Sequence, residues 1–221
     1  PMLVICLAGF TINDIFDQET DRINHPDRAL AQYPALSGSA TTTYALLFVL
    51  AIVLILWQQD PLMKSVWALS FLLISNYNFL KKHLPAAKNL YMVLCTCVVV
   101  STIDLSNDGN TVDLANYVPI GLSVFARELA CDIHDIDGDG PTIAKLLGAW
   151  QSYCFVFILY FTSLTLMLSW AITPLQVQFA SLGVLCLLGY GYALWRPEIL
   201  EKSQAALTGI LVATPVALLV S

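Results

Sequence analysis

Eight apolar segments separated by short polar stretches dominate this sequence and restrict what it can fold into. They cover residues 1–16, 43–57, 65–80, 89–103, 114–129, 149–172, 175–195 and 205–220. Several approach the roughly 20 residues that an α-helix needs to cross the hydrocarbon core of a bilayer. Lipid offers no hydrogen bonds to the backbone, so such segments cross it as helices. The pattern predicts an all-α, multi-pass transmembrane bundle of about eight helices.

The charged residues are too few for a soluble protein. They make up 12% of the chain, against about 25% in a typical soluble domain, and the mean hydropathy is +0.71. No polar stretch is long enough to fold separately, so we expect residues 1–221 to form a single membrane domain in contact with a lipid bilayer. The 10 basic residues form no stripe, which argues against binding to nucleic acid.

Two aspartate clusters interrupt the apolar pattern. Each repeats the spacing i, i+3, i+7, with Asp14, Asp17 and Asp21 in the first and Asp132, Asp135 and Asp139 in the second. At about 100° per helical residue, each set lies within an arc of roughly 60° and forms one stripe of carboxylates. Oxygen-only donors suit Mg²⁺, which commonly bridges carboxylates to substrate phosphates. The clusters therefore predict a diphosphate held through Mg²⁺.

The basic residues indicate how the chain crosses the membrane. If the loops alternate between two sides, nine of the ten lie on one side, and Lys64 is alone on the other. The nine are Arg22, Arg28, Lys81, Lys82, Lys88, Arg127, Lys145, Arg196 and Lys202. Cytosolic loops are enriched in lysine and arginine. Both aspartate clusters lie on this same side, so we expect them to face each other across one cavity open to the cytosol.

Other polar residues near the clusters have two interpretations. Lys81 and Lys82 end an apolar segment, where they could anchor the helix at the interface or bind phosphate. Arg127 precedes the second cluster and could pair with Glu128 or reach the diphosphate. Arg28 suits a phosphate oxygen.

The three histidines show no mutual spacing in the sequence. We interpret His25, His83 and His134 as surface residues or as indirect supports of the site.

A calcium-binding loop is a competing interpretation of the second cluster. Asp135, Asp137 and Asp139 would fill positions 1, 3 and 5 of an EF-hand loop. Position 12 would then be Leu146, which has no carboxylate to offer. We reject this alternative.

Two long motifs resemble those of the UbiA superfamily of intramembrane prenyltransferases. The first reads Asn13-Asp14-x-x-Asp17-x-x-x-Asp21-x-x-Asn24-x-Pro26-x-Arg28. The second reads Arg127-Glu128-x-x-x-Asp132-x-x-Asp135-x-x-Gly138-Asp139, and Tyr77-x-x-x-Lys81 lies between them. The resemblance extends over essentially the whole chain, and the second motif looks most like that of archaeal-type enzymes that prenylate a glyceryl phosphate lipid. It implies a helical bundle around a central cavity, usually of nine helices, of which the first is missing or lies upstream of Pro1.

The resemblance also implies an activity. A prenyltransferase of this kind moves a polyprenyl group from an isoprenyl diphosphate to a hydrophobic lipid or aromatic acceptor through an allylic carbocation. Mg²⁺ would be held by Asp14, Asp17, Asp21, Asp132, Asp135 and Asp139. The diphosphate would contact Asn13, Arg28, Lys81, Lys82 and Arg127. The catalytic residues would be Asp17, Asp135 and Tyr77, with an aspartate or the tyrosine accepting the proton.

Three departures from the family pattern concern the acceptor. Ala29 stands where proline is usual, and the loop after Asp139 is shorter than in the family. Cys131 stands where the lipid-ether relatives carry lysine.

Two other functions fit the same motifs. A terpene cyclase on this scaffold would form the same carbocation and let it attack its own double bonds. The non-enzymatic alternative is an inactive membrane scaffold. It predicts loss of the aspartates, but all six stripe carboxylates are present.

Overall fold

The computed structural model describes residues 1–107, 114–138, 140–170, 174–194 and 196. Within these residues all regular structure is helical, with ten α-helices and two short 3₁₀ turns at Pro34–Leu36 and Pro85–Ala87. The α-helices are α1 (Met2–Phe16), α2 (Gln18–Asn24), α3 (Ala29–Gln32), α4 (Ser37–Trp57), α5 (Pro61–His83), α6 (Lys88–Asn107), α7 (Leu114–His134), α8 (Ile143–Leu147), α9 (Ala149–Trp170) and α10 (Pro174–Ala193).

The long helices confirm the predicted all-α membrane bundle. Seven of them, α1, α4, α5, α6, α7, α9 and α10, match the first seven apolar segments in order. The short helices α3 and α8 lie in polar stretches where the sequence predicted no helix, whereas α2 lies in the part of the chain where the spacing of the first aspartate cluster predicted a helical stripe. The eighth apolar segment, residues 205–220, lies outside the described residues.

Several helices continue beyond their apolar segments because local chemistry extends them. The α5 helix starts four residues early, at Pro61, because the Asp60 carboxylate accepts hydrogen bonds from the backbone N–H groups of Leu62 and Met63. Proline is well suited to the first position of a helix, where its missing N–H costs nothing. At its other end α5 continues through Lys81 to His83, and this extra turn carries the lysine toward the aspartates.

Neighbouring helices in the chain pack against each other and form two apolar clusters. One cluster joins α7 to α8, α9 and α10, with Leu129, Val156 and Tyr190 fully buried. The other joins α1 to α4 and is flanked by α5, around Ile5 and Ala51. The α6 helix packs against α5 on one side and α7 on the other, so it connects the two halves.

A polar contact fixes α7 against α9. Pro119 lies inside α7, and its carbonyl accepts a hydrogen bond of 2.8 Å from the Ser163 hydroxyl. The Ser123 hydroxyl lies 2.7 Å from the Ser163 hydroxyl. Small hydroxyl side chains commonly join helices in membranes, where they allow close approach and satisfy each other.

The outer surface of the described helices is strongly apolar. Three helical spans are long and apolar enough to cross a membrane, namely Pro34–Trp57, Pro85–Thr102 and Ala149–Ser169. Large side chains such as Leu46 and Trp57 face outward. Exposed apolar surface of this extent is typical of a bundle that lipid surrounds.

Candidate active site

One cavity of about 910 Å³ brings the two aspartate motifs together. Its wall includes residues from α1, α2, α5, α6 and α7. Five of the six stripe aspartates line it: Asp14, Asp17, Asp21, Asp132 and Asp135. The sixth, Asp139, lies outside the described residues. Two motifs more than a hundred residues apart in the sequence therefore share one site.

The first stripe crosses the junction between two helices. The α1 helix ends at Phe16 and α2 begins at Gln18, so Asp17 lies between them. The backbone N–H of Asp17 still donates to the Asn13 carbonyl at 2.9 Å, and that of Asp21 donates to the Asp17 carbonyl at 2.7 Å. Because this i to i−4 bonding continues through the junction, the stripe stays in helical register although the helix is interrupted.

Asp17 is held by a lysine from a distant helix. Its side chain is buried, and both carboxylate oxygens accept from Lys81 Nζ, at 2.7 and 2.8 Å. Asn13 Nδ2 donates to the same carboxylate at 2.7 Å, while Asn13 Oδ1 is buried without a hydrogen-bond partner. An unsatisfied oxygen at this position suits a bound cation.

Asp21 is held by an arginine from its own motif. Arg28 donates from one guanidinium nitrogen to both oxygens of the buried carboxylate, at 2.9 and 3.0 Å. Burial opposes the charge on Arg28, but its hydrogen bond to Asp21 and the charges of Asp21, Asp14 and Asp135 outweigh burial and raise the pKa of the guanidinium above its ordinary value. The field at this end of the cavity is therefore negative.

The second motif carries a buried ion pair that the sequence did not predict. Lys88 Nζ lies 2.6 Å from Asp132 Oδ1, and both side chains are almost fully buried. Asn89 Nδ2 donates to Asp132 Oδ2 at 2.9 Å. The 3₁₀ turn Pro85–Ala87 makes the connection from α5 short, so α6 begins beside the aspartates and its first two residues reach them.

Asp135 lies one residue beyond the end of α7 and contacts two histidines. Its Oδ1 is 2.9 Å from His25 Nε2 and 3.2 Å from His134 Nδ1. The two imidazole rings stack with centroids 5.4 Å apart. Sequence spacing gave no sign of this pairing, because the histidines come from different motifs. His83 is exposed, and its ring is tilted against that of Phe79 with the ring centroids 4.4 Å apart.

An asparagine joins the two motifs directly. Asn24 Nδ2 donates to the Asp135 carbonyl at 3.1 Å, and Asn24 Oδ1 accepts from the Gly138 backbone N–H at 3.0 Å. A Cβ at position 138 would meet this amide at 2.6–2.8 Å, so glycine is needed for the close approach. The contact fixes α2 against the turn that follows α7.

The remaining predicted residues divide between the cavity wall and the surface. Arg127 and Tyr77 both line the cavity, and Arg127 is paired with Glu128, which lines it as well. The Tyr77 ring lies 6.4 Å from that of Tyr91. Lys82 is exposed and is not part of the wall, so its predicted role in diphosphate binding stays a prediction.

The two ends of the cavity differ in chemistry. Six carboxylates and four lysine or arginine side chains line it among the described residues. The negative excess means that a diphosphate needs further positive charge before it can bind. Farther along α1, α5 and α6 the wall becomes apolar, with Phe10, Ile74, Met92 and Val99. A charged end joined to an apolar end matches a molecule with a diphosphate head and a hydrocarbon tail.

Three curated proteins that match this chain share one name. Digeranylgeranylglyceryl phosphate synthase of Pyrococcus horikoshii is 32% identical over 152 residues, which is 65% of this chain and 50% of that protein. The Pyrococcus furiosus protein of this name is 36% identical, over 65% of this chain and 50% of its own length. The Haloquadratum walsbyi protein is 33% identical, over 66% and 53%. The chain thus spans about half the length of the curated relatives it matches.

No solved structure shows a significant match to the chain. The model of the UbiA prenyltransferase family matches residues 2–213, which include both aspartate motifs and all the long helices described above. The match covers most of the sequence, and the apolar helices agree with it. The chain is an integral membrane protein and belongs to the UbiA prenyltransferase family.

Proposed function

We propose that this chain transfers a prenyl group from an isoprenyl diphosphate to a hydrophobic acceptor inside the membrane. The observation that carries the proposal is the single cavity with both aspartate motifs at one end and an apolar wall at the other. The names of the relatives favour a glyceryl phosphate lipid over an aromatic acceptor. A lipid acceptor could reach the cavity from the surrounding bilayer.

Mg²⁺ fits the donors at the charged end. The carboxylates of Asp14, Asp17, Asp21, Asp132 and Asp135 are hard oxygen ligands of the kind this ion prefers. The resemblance to the family adds Asp139, which lies outside the described residues. Two further features favour a bound cation: Asn13 Oδ1 has no hydrogen-bond partner, and the cavity has more carboxylates than basic side chains among the described residues. When bound, Mg²⁺ would neutralise the diphosphate and favour its departure. UbiA prenyltransferases generally depend on this ion.

The cationic side chains of the cavity would hold the diphosphate. Lys81, Arg28 and Lys88 already neutralise Asp17, Asp21 and Asp132. Charge-assisted hydrogen bonds from lysine or arginine to phosphate oxygens are among the stronger ones in proteins. We infer that these cations shift some of their hydrogen bonds from carboxylate to phosphate as the donor enters. Arg127 would contribute in the same way.

The apolar wall would protect the reactive carbon. In the transfer, the bond between the prenyl carbon and the diphosphate oxygen breaks, and the diphosphate leaves with the electron pair. The allylic carbocation then needs a site without water, which Phe10, Ile74 and Val99 would provide. The acceptor oxygen or carbon forms the new bond and loses its proton. Tyr77 or an aspartate such as Asp135 would take that proton.

A product assay tests the proposal. Purified protein in lipid nanodiscs would receive Mg²⁺, geranylgeranyl diphosphate and geranylgeranylglyceryl phosphate, with products identified by mass spectrometry. We expect a lipid carrying a second geranylgeranyl group. A cyclic hydrocarbon formed without acceptor would identify a terpene cyclase instead. No product from any prenyl diphosphate would support an inactive scaffold.

Substitutions in the two motifs test the site. Asp17→Asn and Asp135→Asn should each lower turnover by a hundredfold or more, because loss of about 2.7 kcal/mol of leaving-group stabilisation corresponds to that factor. Asp27→Asn is the matched control, since Asp27 is exposed and lies outside the cavity wall. Equal effects at Asp27 and Asp17 would contradict the assignment.

We also propose that the charged end of the cavity opens to the cytosol. The support is the distribution of basic residues, with Lys81 near one end of α5 and Lys64 near the other. In a cysteine-free background, cysteines placed at Asp27 and Gln59 should react with an impermeant reagent from opposite sides of the membrane. Reaction from the same side would refute this topology.

A further inference from the structure

Three side chains, one from the first motif and two from the second, bring metal-binding atoms together at the mouth of the cavity. His25 Nε2 and His134 Nδ1 lie 2.9 and 3.2 Å from Asp135 Oδ1. All three atoms lie within 4.8 Å of one another. His134 is exposed and the other two are partly so, which gives a solvent ion access to the group.

The spacing of these atoms matches the edge of a coordination shell. First-row transition ions bind imidazole nitrogen and carboxylate oxygen at about 2.0–2.2 Å. Neighbouring ligand atoms around such an ion then lie about 3.0–3.5 Å apart in octahedral or tetrahedral geometry. The two contacts to Asp135 Oδ1 fall at or near this interval. The terminal torsion of histidine is broad, so each ring can turn to aim its nitrogen.

The donor type separates this group from the rest of the cavity. The aspartates of both motifs offer oxygen donors, which suit Mg²⁺. Imidazole nitrogen suits transition ions such as Mn²⁺, Co²⁺ and Zn²⁺ better than it suits Mg²⁺. Two nitrogens and one carboxylate on one side of an ion leave other positions open for water or a phosphate oxygen.

The scaffold holds the ligands in place. Asn24, the neighbour of His25, bonds to the Asp135 carbonyl and to the Gly138 backbone N–H. The loop that carries His25 and the turn that carries Asp135 are therefore fixed against each other before any ion arrives. Fixed supporting groups of this kind usually strengthen a metal site.

We propose that His25, His134 and Asp135 form a binding site for a divalent first-row transition ion. The site shares Asp135 with the proposed magnesium ligands, and in that respect it rests on the proposed function. It adds nitrogen ligation, with one histidine from each motif, to a cavity whose other proposed metal ligands are oxygen atoms.

Mn²⁺ is the probe that tests this site directly. Purified protein without any affinity tag would be loaded with one equivalent of Mn²⁺, and pulsed electron paramagnetic resonance would look for coupling to ¹⁴N. We expect coupling in the wild type, its loss in the His25→Gln/His134→Gln variant and its retention in His83→Gln. We also expect the dissociation constant of Mn²⁺ to rise at least tenfold in the double variant only.

Two results would overturn the proposal. The first is the absence of ¹⁴N coupling in the wild type, which needs no variant to fold. The second is coupling that persists in the double variant. Neither result depends on catalysis. Prenyl transfer without ¹⁴N coupling would refute this metal site but not the proposed function. Coupling without prenyl transfer would refute the proposed function but not this metal site.

Discussion

The buried pair of Lys88 and Asp132 gives a prediction with a calculable size. Lys88 is 6% exposed and Asp132 is 2% exposed, with 2.6 Å between the charged atoms. Removing one partner of a buried pair leaves an uncompensated charge and costs about 3–5 kcal/mol. Lys88→Met should therefore lower the free energy of unfolding by that amount, because methionine keeps most of the volume and removes the charge.

Replacing both partners should restore most of the loss. In Lys88→Met/Asp132→Leu no buried charge remains from the pair. The Asn89 amide, which is fully buried and donates to Asp132, then loses its acceptor, at a cost of about 1–3 kcal/mol. The double variant should thus lie about 1–3 kcal/mol below the wild type, and it should be more stable than Asp132→Leu alone.

Unfolding in mixed micelles by titration with sodium dodecyl sulfate, followed by tryptophan fluorescence, measures these free energies. Lys64→Met is the matched control, because Lys64 lies near the start of α5, outside the cavity wall. Additive losses in the double variant, or a loss below about 1 kcal/mol for Lys88→Met, would show that the pair is not coupled in a buried site.

Three further results are expected. Gly138→Ala should lower the free energy of unfolding by about 1–3 kcal/mol and should also lower transfer activity, because the new methyl group displaces the Asn24 amide from its two hydrogen bonds. Gly38→Ala is the control, because a Cβ at position 38 would meet nothing within 4 Å, and equal losses in the two variants would refute this reason. Lys81→Met should raise the Michaelis constant for the diphosphate or lower turnover, whereas Lys64→Met should change neither; kinetic assays that show equal effects would mean that Lys81 acts only on membrane stability. Chelation by EDTA should abolish transfer, and unchanged activity would rule out the metal.

The sequence was sufficient to predict the long helices and the meeting of the two aspartate motifs in one cavity. Apolar runs located seven helices to within a few residues at most ends, because lipid imposes a strong length requirement on each span. The errors fall where polar chemistry takes over from the apolar pattern. The α7 helix continues five residues beyond the apolar segment that ends at Leu129, since Asp132 faces the cavity and the apolar run stops before the helix does. It ends at His134, however, and Asp135 lies in the turn that follows, so the prediction of a helical stripe that includes Asp135 was wrong for the second cluster.

The internal pairing of the site could not be predicted. The sequence placed Lys88 only among the basic residues on one side of the membrane, because no sequence signal shows that a short 3₁₀ turn will direct it at Asp132. His25 and His134 had no mutual spacing, and only the packing of α2 against the end of α7 brings them together. Contacts between distant segments depend on tertiary geometry, which local patterns do not contain.

The bond between Asn24 and the turn after α7 also sets an order of events during synthesis. Asn24 is 111 positions from Asp135 and 114 positions from Gly138 in the sequence, so these hydrogen bonds form only after α7 has been synthesised. Asp21 and Asp17 are paired earlier, since Arg28 lies 7 positions from Asp21 and Lys81 lies 64 positions from Asp17. The charges of Asp17 and Asp21 can therefore be paired before the second motif has been synthesised. Closure of the cavity mouth therefore follows the pairing of Asp17 and Asp21.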